Sequence, residues 1–455
     1  MKFKAPVAKN QEYTGDIIDL TYQGMGVAKI EDFPIFITNA LPNEKVVFAV
    51  TKVSKTYAFG RVVKFIEKSP QRVDSVNVTY TQTGIAPLQH LSYEGQLAFK
   101  QHQVVELLKK SHLDIDVAKT VGMETPYHYR NKAQVPVREI NGQIETGFYK
   151  RGSHTVVPIE DFYIQDPKID EAIIVVRDLL RRFHLDAYDE TNNTGVIKTI
   201  MVRRGYYSHE MMIVIVTRTH KLSMVNELVA EITKALPEVK SIIQNVNPQQ
   251  TNVLLGDTDR IHFGSPVIHD QLMGLTFEIS AHSFYQVNPQ QTEKLYQFAI
   301  DKAQLTGEET VIDAYCGIGT ISLAVAKHAK HVYGVEMVKT AISDAKTNAN
   351  LNHIDNVDFV VGKAENQMAR WQEAGLKADV IMVDPPRKGL APEFIEAATA
   401  VKPSRVVYVS CNPATLVRDI QVFMDHGYHV DGDIQPVDQF PQTTSIECVV
   451  SLVKD

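Results

Sequence analysis

Between residues 12 and 67 hydrophobic and polar positions alternate over five short runs, 12–22, 26–30, 34–40, 45–53 and 58–66. A period of two marks half-buried strands. Gly24-Met25-Gly26 and Pro42-Asn43 supply turns between runs, and five such strands fit a small closed barrel of the OB type. Beyond residue 70 the pattern breaks, and residues 97–113 then place apolar side chains three and four apart, as an amphipathic helix does. Strands follow at 132–140 and 143–150 around Asn141-Gly142, a dipeptide suited to a tight hairpin turn. A helix is expected over 171–183, strands over 199–207 and 211–218, and an Asn/Gly-rich region from there to near Gly274. From about Ser280 the rhythm changes. Apolar runs at 311–315, 331–336, 357–362, 379–384 and 405–410 are separated by helical stretches such as 321–329, 341–351, 393–401 and 414–424, which predicts a mostly parallel sheet covered on both faces. The expected fold is α/β, with a barrel over 1–70, a central α+β region over 71–275 and a Rossmann-like domain over 276–455.

Composition narrows the setting. The longest purely apolar run, 211–216, is far short of the roughly 20 residues of a membrane helix, and the first ten residues lack an apolar core of the signal-peptide kind. Cys316, Cys411 and Cys448 match no disulfide or zinc spacing, so a cytoplasmic protein without a metal is expected. Net charge is −7, unlike a protein that coats nucleic acid. Residues 1–70, however, carry 10 Lys/Arg against 7 Asp/Glu, while 281–455 carry 15 against 22. An RNA footprint would therefore lie N-terminal to the acidic domain. Arg130, Lys132, Arg138, Lys150 and Arg151 stand among Tyr127, His128, Tyr129, Phe148 and Tyr149, a mixture that suits phosphate contact and base stacking but equally a solvated hairpin.

Candidate chemistry lies at strand ends in the last domain. Asp313-Ala-Tyr315-Cys-Gly317-Ile-Gly319-Thr320 joins a strand to a helix, where glycines let backbone approach a ligand at the carboxyl end of the sheet. Glu336 ends the next strand, where a carboxylate can hold a ribose. Asp384-Pro-Pro-Arg387 ends the fourth, and the arginine stands where amino-group methyltransferases usually have an aromatic. Ser410-Cys411-Asn412-Pro413 puts a thiol on a turn. A thiolate there could add to C6 of a uracil and make C5 nucleophilic enough to take a methyl group. Glu447, the acidic residue of 446–453, is the candidate base, although its spacing alone suggests an outward-facing strand position.

Four segments together, Ser283-Phe-Tyr-Gln286-Val-Asn288, Asp313-x-Tyr-Cys-Gly-x-Gly-Thr320, Asp384-Pro-Pro-Arg-Lys-Gly389 and Ser410-Cys-Asn-Pro-x-Thr415, resemble the RNA uracil-C5 methyltransferase family. The resemblance implies S-adenosylmethionine held by Gln286, Tyr315, Glu336 and Asp384, Cys411 as nucleophile and Glu447 as base. Asn288-Pro289 also reads as a helix start. The N-terminal segment resembles the TRAM domain of ribosomal RNA members, which implies a 23S ribosomal RNA partner, with a monomer expected and no membrane. Many relatives hold an iron–sulfur cluster on four cysteines. Here Thr83, Ala86 and Phe162 stand near those positions, so no cluster is expected, and the chain resembles the Gram-positive branch, some of whose members modify two uridines. Where relatives commonly carry histidines near the base, this chain has Gln442 and Ser445. The rival readings are a transfer RNA uracil methyltransferase and an RNA-binding assembly factor without catalysis.

Overall fold

A computed structural model describes residues 5–74 and 76–455. The first six strands, β1 (Glu12–Asp16), β2 (Asp19–Leu20), β3 (Gly26–Ile30), β4 (Phe33–Thr38), β5 (Lys45–Val53) and β6 (Ala58–Glu67), form one sheet in the order β1-β5-β6-β4-β3-β2. The run at 12–22, read as one strand, breaks at Ile17, which turns into the barrel core with Ala28, Ile35, Ile37 and Phe48. The sheet curls until β1 meets β3: a methyl built on Gly15 would lie 3.7 Å from Ala28 Cβ. A buried Glu44–Arg72 ion pair, with Arg72 also donating to Asn39 O at 2.9 Å, fastens this barrel to the segment beyond residue 70.

Two helices come next, α1 (Val78–Thr83) and α2 (Tyr93–Lys110), and then β7 (Lys132–Ile140), β8 (Gln143–Tyr149), β9 (Val156–Pro158), α3 (Pro167–Arg182), β10 (Ile197–Arg204) and β11 (Met211–Thr217). The expected Asn/Gly-rich connection instead holds α4 (Val225–Ala235), β12 (Val239–Val246), β13 (Thr258–Gly264) and most of a hairpin, β14 (Val267–Leu272) with β15 (Leu275–Ser280). The helix α4 forms because Leu228 and Ile232, one turn apart, both bury, and it carries the chain from β11 to the parallel β12. Seven strands then run β13-β12-β11-β10-β7-β8-β9. Both faces of its middle are covered. Ile200, Val202, Ile213 and Ile215 pack on α3 and α4, while Met201, Met212, Val214 and Val216 share a core with the β14–β15 hairpin and the C-terminal sheet. Each fully buried side chain of this kind contributes about 1.5–3 kcal/mol.

The last part contains α5 (Pro289–Ala303), β16 (Thr310–Ala314), α6 (Thr320–Ala326), β17 (His331–Glu336), α7 (Lys339–Leu351), β18 (Val357–Val361), α8 (Ala364–Glu373), β19 (Val380–Val383), α9 (Pro392–Ala400), β20 (Arg405–Ser410), α10 (Pro413–Asp425), β21 (Tyr428–Val430), β22 (Gln435–Val437) and β23 (Glu447–Lys454). The sheet order is β18-β17-β16-β19-β20-β23-β21, with β22 also on β23. Five strands are parallel and β23 inserts antiparallel beside β20. From β16 the chain winds first toward β18 and then back past itself to β20, which opens a crevice at the carboxyl ends, where such sheets bind ligands. Val104 and Leu108 of α2 enter the core of this unit, and Val117 and Val121 bridge to Ile434 and Val437.

Candidate active site

Strand direction gathers the chemistry. Tyr315 follows β16, Glu336 ends β17, Asp384 follows β19 and Cys411 follows β20, while Glu447 begins the antiparallel β23, so all five sit at one edge. Ser410 pairs with Cys448, which sets Cys411 beside Glu447 across two neighbouring strands.

Backbone shape is specific where a ligand would approach. Gly317 has φ 54° and a methyl built on it would meet nothing within 4 Å, whereas one on Gly319, at φ 87°, would lie 3.2 Å from the Phe359 ring. Gly317 is thus open to a ligand and Gly319 is required by packing. Tyr315 takes φ 84°, a conformation costly for a side chain with a Cβ, and is held there by its N–H on Val335 O at 3.0 Å and by Phe394, 5.6 Å from its ring. Glu336 accepts from Val338 N at 2.9 Å, next to exposed Met337 and Val338.

The crevice is acidic and partly dry. Burial raises Asp313 to about 6, against the hydrogen bond from Ser322 and with help from Glu336. Burial and then Asp313 raise Asp384 to about 7. Glu447, 4% exposed, is pushed well above the usual carboxylate range by burial and by Asp384, with Arg387 opposing. Its expected outward-facing position is therefore wrong: β23 is paired on both edges, by β20 and by β22, and covered on both faces. Of the three thiols, Cys411 alone is not buried. Burial, then Glu447 and Asp384, push it up to about 11, and Arg387 pulls the other way. The turn that carries it is fixed by Asn412, which caps α10 by accepting from Ala414 N at 3.2 Å and donates to Arg387 O at 2.8 Å.

Gln286 lies between β15 and α5 and is half-buried; its carbonyl accepts from Asn131 Nδ2 at 3.1 Å. No hydrogen bond joins its side chain to the other five residues among those described. Asn288 does cap α5, accepting from Gln291 N at 3.3 Å. One residue escaped the sequence reading. Tyr296, on the buried face of α5, feels Asp384, Asp313 and Glu447 and shares a hydrogen bond with Thr320 Oγ1 at 3.0 Å. Its only sequence signal was an apolar helix face.

Gln442 does not join the site. It pairs with Gln96, donating its N–H to Gln96 Oε1 at 2.9 Å and accepting from Gln96 Nε2 at 3.0 Å. With the buried Lys100–Asp438 pair and Tyr129 on Pro441 O, this clamps the loop 438–445 that leads to Glu447. Ala86 and Phe162 lie in one apolar cluster with Tyr80, and Thr83 is buried on the same helix as Tyr80. Among the described residues no group of three or more His, Cys, Asp or Glu could hold a metal ion, and no helix is long and apolar enough to cross a membrane. The basic and aromatic residues of 127–151 separate: Arg130 and Lys132 line a cavity, Arg138 packs against Tyr149 and Tyr188, Arg151 reaches toward Gln23 of the barrel, and Tyr129 is buried.

An acid-lined crevice with an open glycine and a strand-end carboxylate fits S-adenosylmethionine, whose sulfonium and ammonium groups are cations. The comparisons agree. Residues 92–455 match the tRNA (uracil-5-)-methyltransferase family model and residues 6–63 the TRAM domain model. An RNA methyltransferase of Lactiplantibacillus plantarum is 61% identical over 100% of both chains, and one of Enterococcus faecalis is 50% identical over 99% of this chain and 98% of its own. The crystal structure of Pyrococcus abyssi tRNA (uracil-54, C5)-methyltransferase with S-adenosyl-L-homocysteine superposes with a TM-score of 0.78 at 26% identity, over 97% of this chain and 99% of that one. The chain belongs to the S-adenosylmethionine-dependent RNA uracil-5-methyltransferase family, and it carries a TRAM domain at its N-terminal side.

Proposed function

We propose that this protein methylates C5 of uridine in 23S ribosomal RNA, at one or two sites, with Cys411 as nucleophile and Glu447 as base. The observation that carries the chemistry is the strand register that puts a half-exposed thiol beside a buried carboxylate at the cofactor edge. In this reading Gln286, Tyr315, Glu336 and Asp384 hold S-adenosylmethionine, which supplies an electrophilic methyl group. Cys411 gives its proton to solvent and its sulfur bonds to C6 of the uracil, which moves the C5–C6 π pair onto C5. That pair takes the methyl, and S-adenosylhomocysteine leaves with the electrons of the broken sulfur–methyl bond. Glu447, ionised by then, removes the C5 proton, and the S–C6 bond breaks to return the thiolate. Arg387, fixed to the Cys411 turn through Asn412, is the cation that favours the thiolate.

The ribosomal target is supported by the TRAM domain, which the family resemblance associates with ribosomal RNA members, and a ribosomal target implies a cytoplasmic protein. In this reading the RNA is bound by residues 1–70 and 71–275 and modified by 276–455. A second reading, a transfer RNA target, is favoured by the Pyrococcus abyssi enzyme, which matches over nearly its whole length and acts on tRNA. Mass mapping of 5-methyluridine in ribosomal and transfer RNA from cells lacking the gene separates them: loss from 23S RNA supports the proposal, and loss from transfer RNA alone overturns it.

A further inference from the structure

We propose that the cavity between the central sheet and the loop 438–445 is a second nucleotide subsite, which takes the phosphodiester and base adjoining the target nucleotide. It rests on the reading of this protein as an RNA enzyme, but not on which base is methylated.

The cavity measures about 240 Å³ and is lined by Arg130, Lys132, Gln134, Phe148, Phe162 and Thr443. That far exceeds the roughly 30 Å³ share of one water and leaves room for one planar base. Phe148 and Phe162 line one wall, packed edge to face with centroids 5.2 Å apart, and of the two the half-buried Phe148 offers a base the more ring surface. Stacking on such a ring is tolerant of sequence. Thr443 belongs to the loop 438–445 that leads to Glu447, so this wall of the cavity and the candidate base are carried by one short stretch of chain.

Its charge is unbalanced. Lys132 on β7 stands directly opposite Arg203 on β10, and like charges facing each other across an antiparallel pair repel. Arg203 is 5% exposed and donates to the carbonyls of Ala281 and Ser283, just before Gln286. Its Nε has no partner among the described residues. No carboxylate comes within ion-pair distance of Arg130, Lys132 or Arg203 among the described residues. Burial, then Arg203 and Arg130, lower Lys132 to about 8. Arg130 and Lys132 line the cavity while Arg203, buried behind Lys132, adds to the repulsion. Cations so placed destabilise the empty protein, and an anion in the cavity offsets the penalty. An RNA phosphate is that anion, because the same cavity provides the aromatic walls for the base attached to it.

The test compares wild type with Lys132→Met in binding a twelve-residue oligouridylate and the same strand with neutral methylphosphonate linkages. For the charged strand the variant should bind about tenfold more weakly, with a salt slope smaller by about 0.7, the share of one phosphate in a single strand. For the neutral strand the two proteins should bind alike. S-adenosylhomocysteine affinity should not change, and the melting temperature of the ligand-free variant should equal or exceed that of wild type. Lys132→Arg should bind as wild type does. Equal loss on both strands, no loss on the charged one, or a loss confined to S-adenosylhomocysteine would each overturn the subsite, the last by assigning the cations to the cofactor carboxylate. A Lys132→Met protein too unstable to purify would overturn it as well, since the charge is here a liability. None of these readings needs methyl transfer, so an error about the target base leaves them standing.

Discussion

Two regions of this molecule bury charge, and they do so with opposite sign. At the edge of the eight-stranded sheet Asp313, Asp384, Glu447 and Cys411 all hold their protons more tightly than in water, because burial and neighbouring carboxylates disfavour the anion. At one end of the central strands β7 and β10 of the seven-stranded sheet Lys132 and Arg203 hold theirs less tightly, because burial and, at Lys132, neighbouring cations disfavour the charged form. Neither region is at ease without a ligand, and the ligands they suit differ in sign: a sulfonium donor on one side, a polyanion on the other. Electrostatics alone thus sorts the two substrates.

The largest expected effect comes from removing the thiol. Cys411→Ala should lower methylation by at least about a thousandfold, as loss of a covalent nucleophile does. It should leave S-adenosylhomocysteine affinity within about twofold, because the acids that suit that ligand remain. Calorimetric titration beside a methyl-transfer assay measures both, and substantial turnover would remove Cys411 from the chemistry. Next is Glu447→Gln, expected to slow turnover by about a hundredfold to ten-thousandfold, the usual range for a general base. Because addition and methyl transfer precede that step, methylated RNA should accumulate on Cys411 and be visible on a denaturing gel. Full turnover without an adduct would make Glu447 merely a buried strand residue.

A third prediction concerns the proton on sulfur. With Cys411 at about 11, roughly one thiol in a thousand is ionised at pH 8, so its alkylation in the ligand-free protein should rise about tenfold per pH unit up to pH 10. Glu447→Gln should shift that curve toward lower pH, since Glu447 is the largest cause after burial. A curve that levels off near pH 8 would contradict the acid-lined site.

The smallest effect is on stability, and it separates the two regions by sign. Asp384 binds its proton up to about pH 7 when folded but only to about 4 when unfolded, so stability falls as pH rises between those values. Lys132 releases its proton near 8 when folded but near 10.5 when unfolded, so its contribution rises with pH across that interval. Melting temperatures of Asp384→Asn and Lys132→Met against wild type should show these opposite slopes at about 1–3 °C each. Identical pH profiles for both variants and wild type would mean that neither charge is strained.

How much of this was legible in the sequence depended on where the information resides. The strands β16, β17, β19 and β20 were plain, because strands covered on both faces are continuous apolar runs. Their ends were plain too, because glycine, proline and acidic residues punctuate them. The burial of Glu447 was not, since alternation cannot reveal that β23 is hemmed in on both edges by strands close to it in chain order only on one side. The helix α8 was missed because it buries only Ala364 and Met368 in a polar stretch. The basic and aromatic residues of 127–151 looked like one patch in sequence. Folding divides them between a cavity, the rings of Tyr149 and Tyr188 and the barrel contact, a division set by position along the chain path. Lys132 and Arg138 share one face of β7 but sit toward opposite ends of it, and Arg130 and Arg151 lie outside the strands.

The insertion of β23 also has a temporal side. A chain emerging from the ribosome folds its earlier parts first, at a synthesis rate of about 5–20 residues per second. By the time the Cys411 turn is out, the parallel strands β16 to β20 can already associate, yet the strand that bears Glu447 is made after all the others of its sheet. It closes the free edge of β20, and β21 and β22, which pair with no other strand, join the sheet only through it. A nascent or truncated chain can therefore display the thiol before it has the carboxylate, and the two halves of the pair come into being as a single late event, timed by strand insertion.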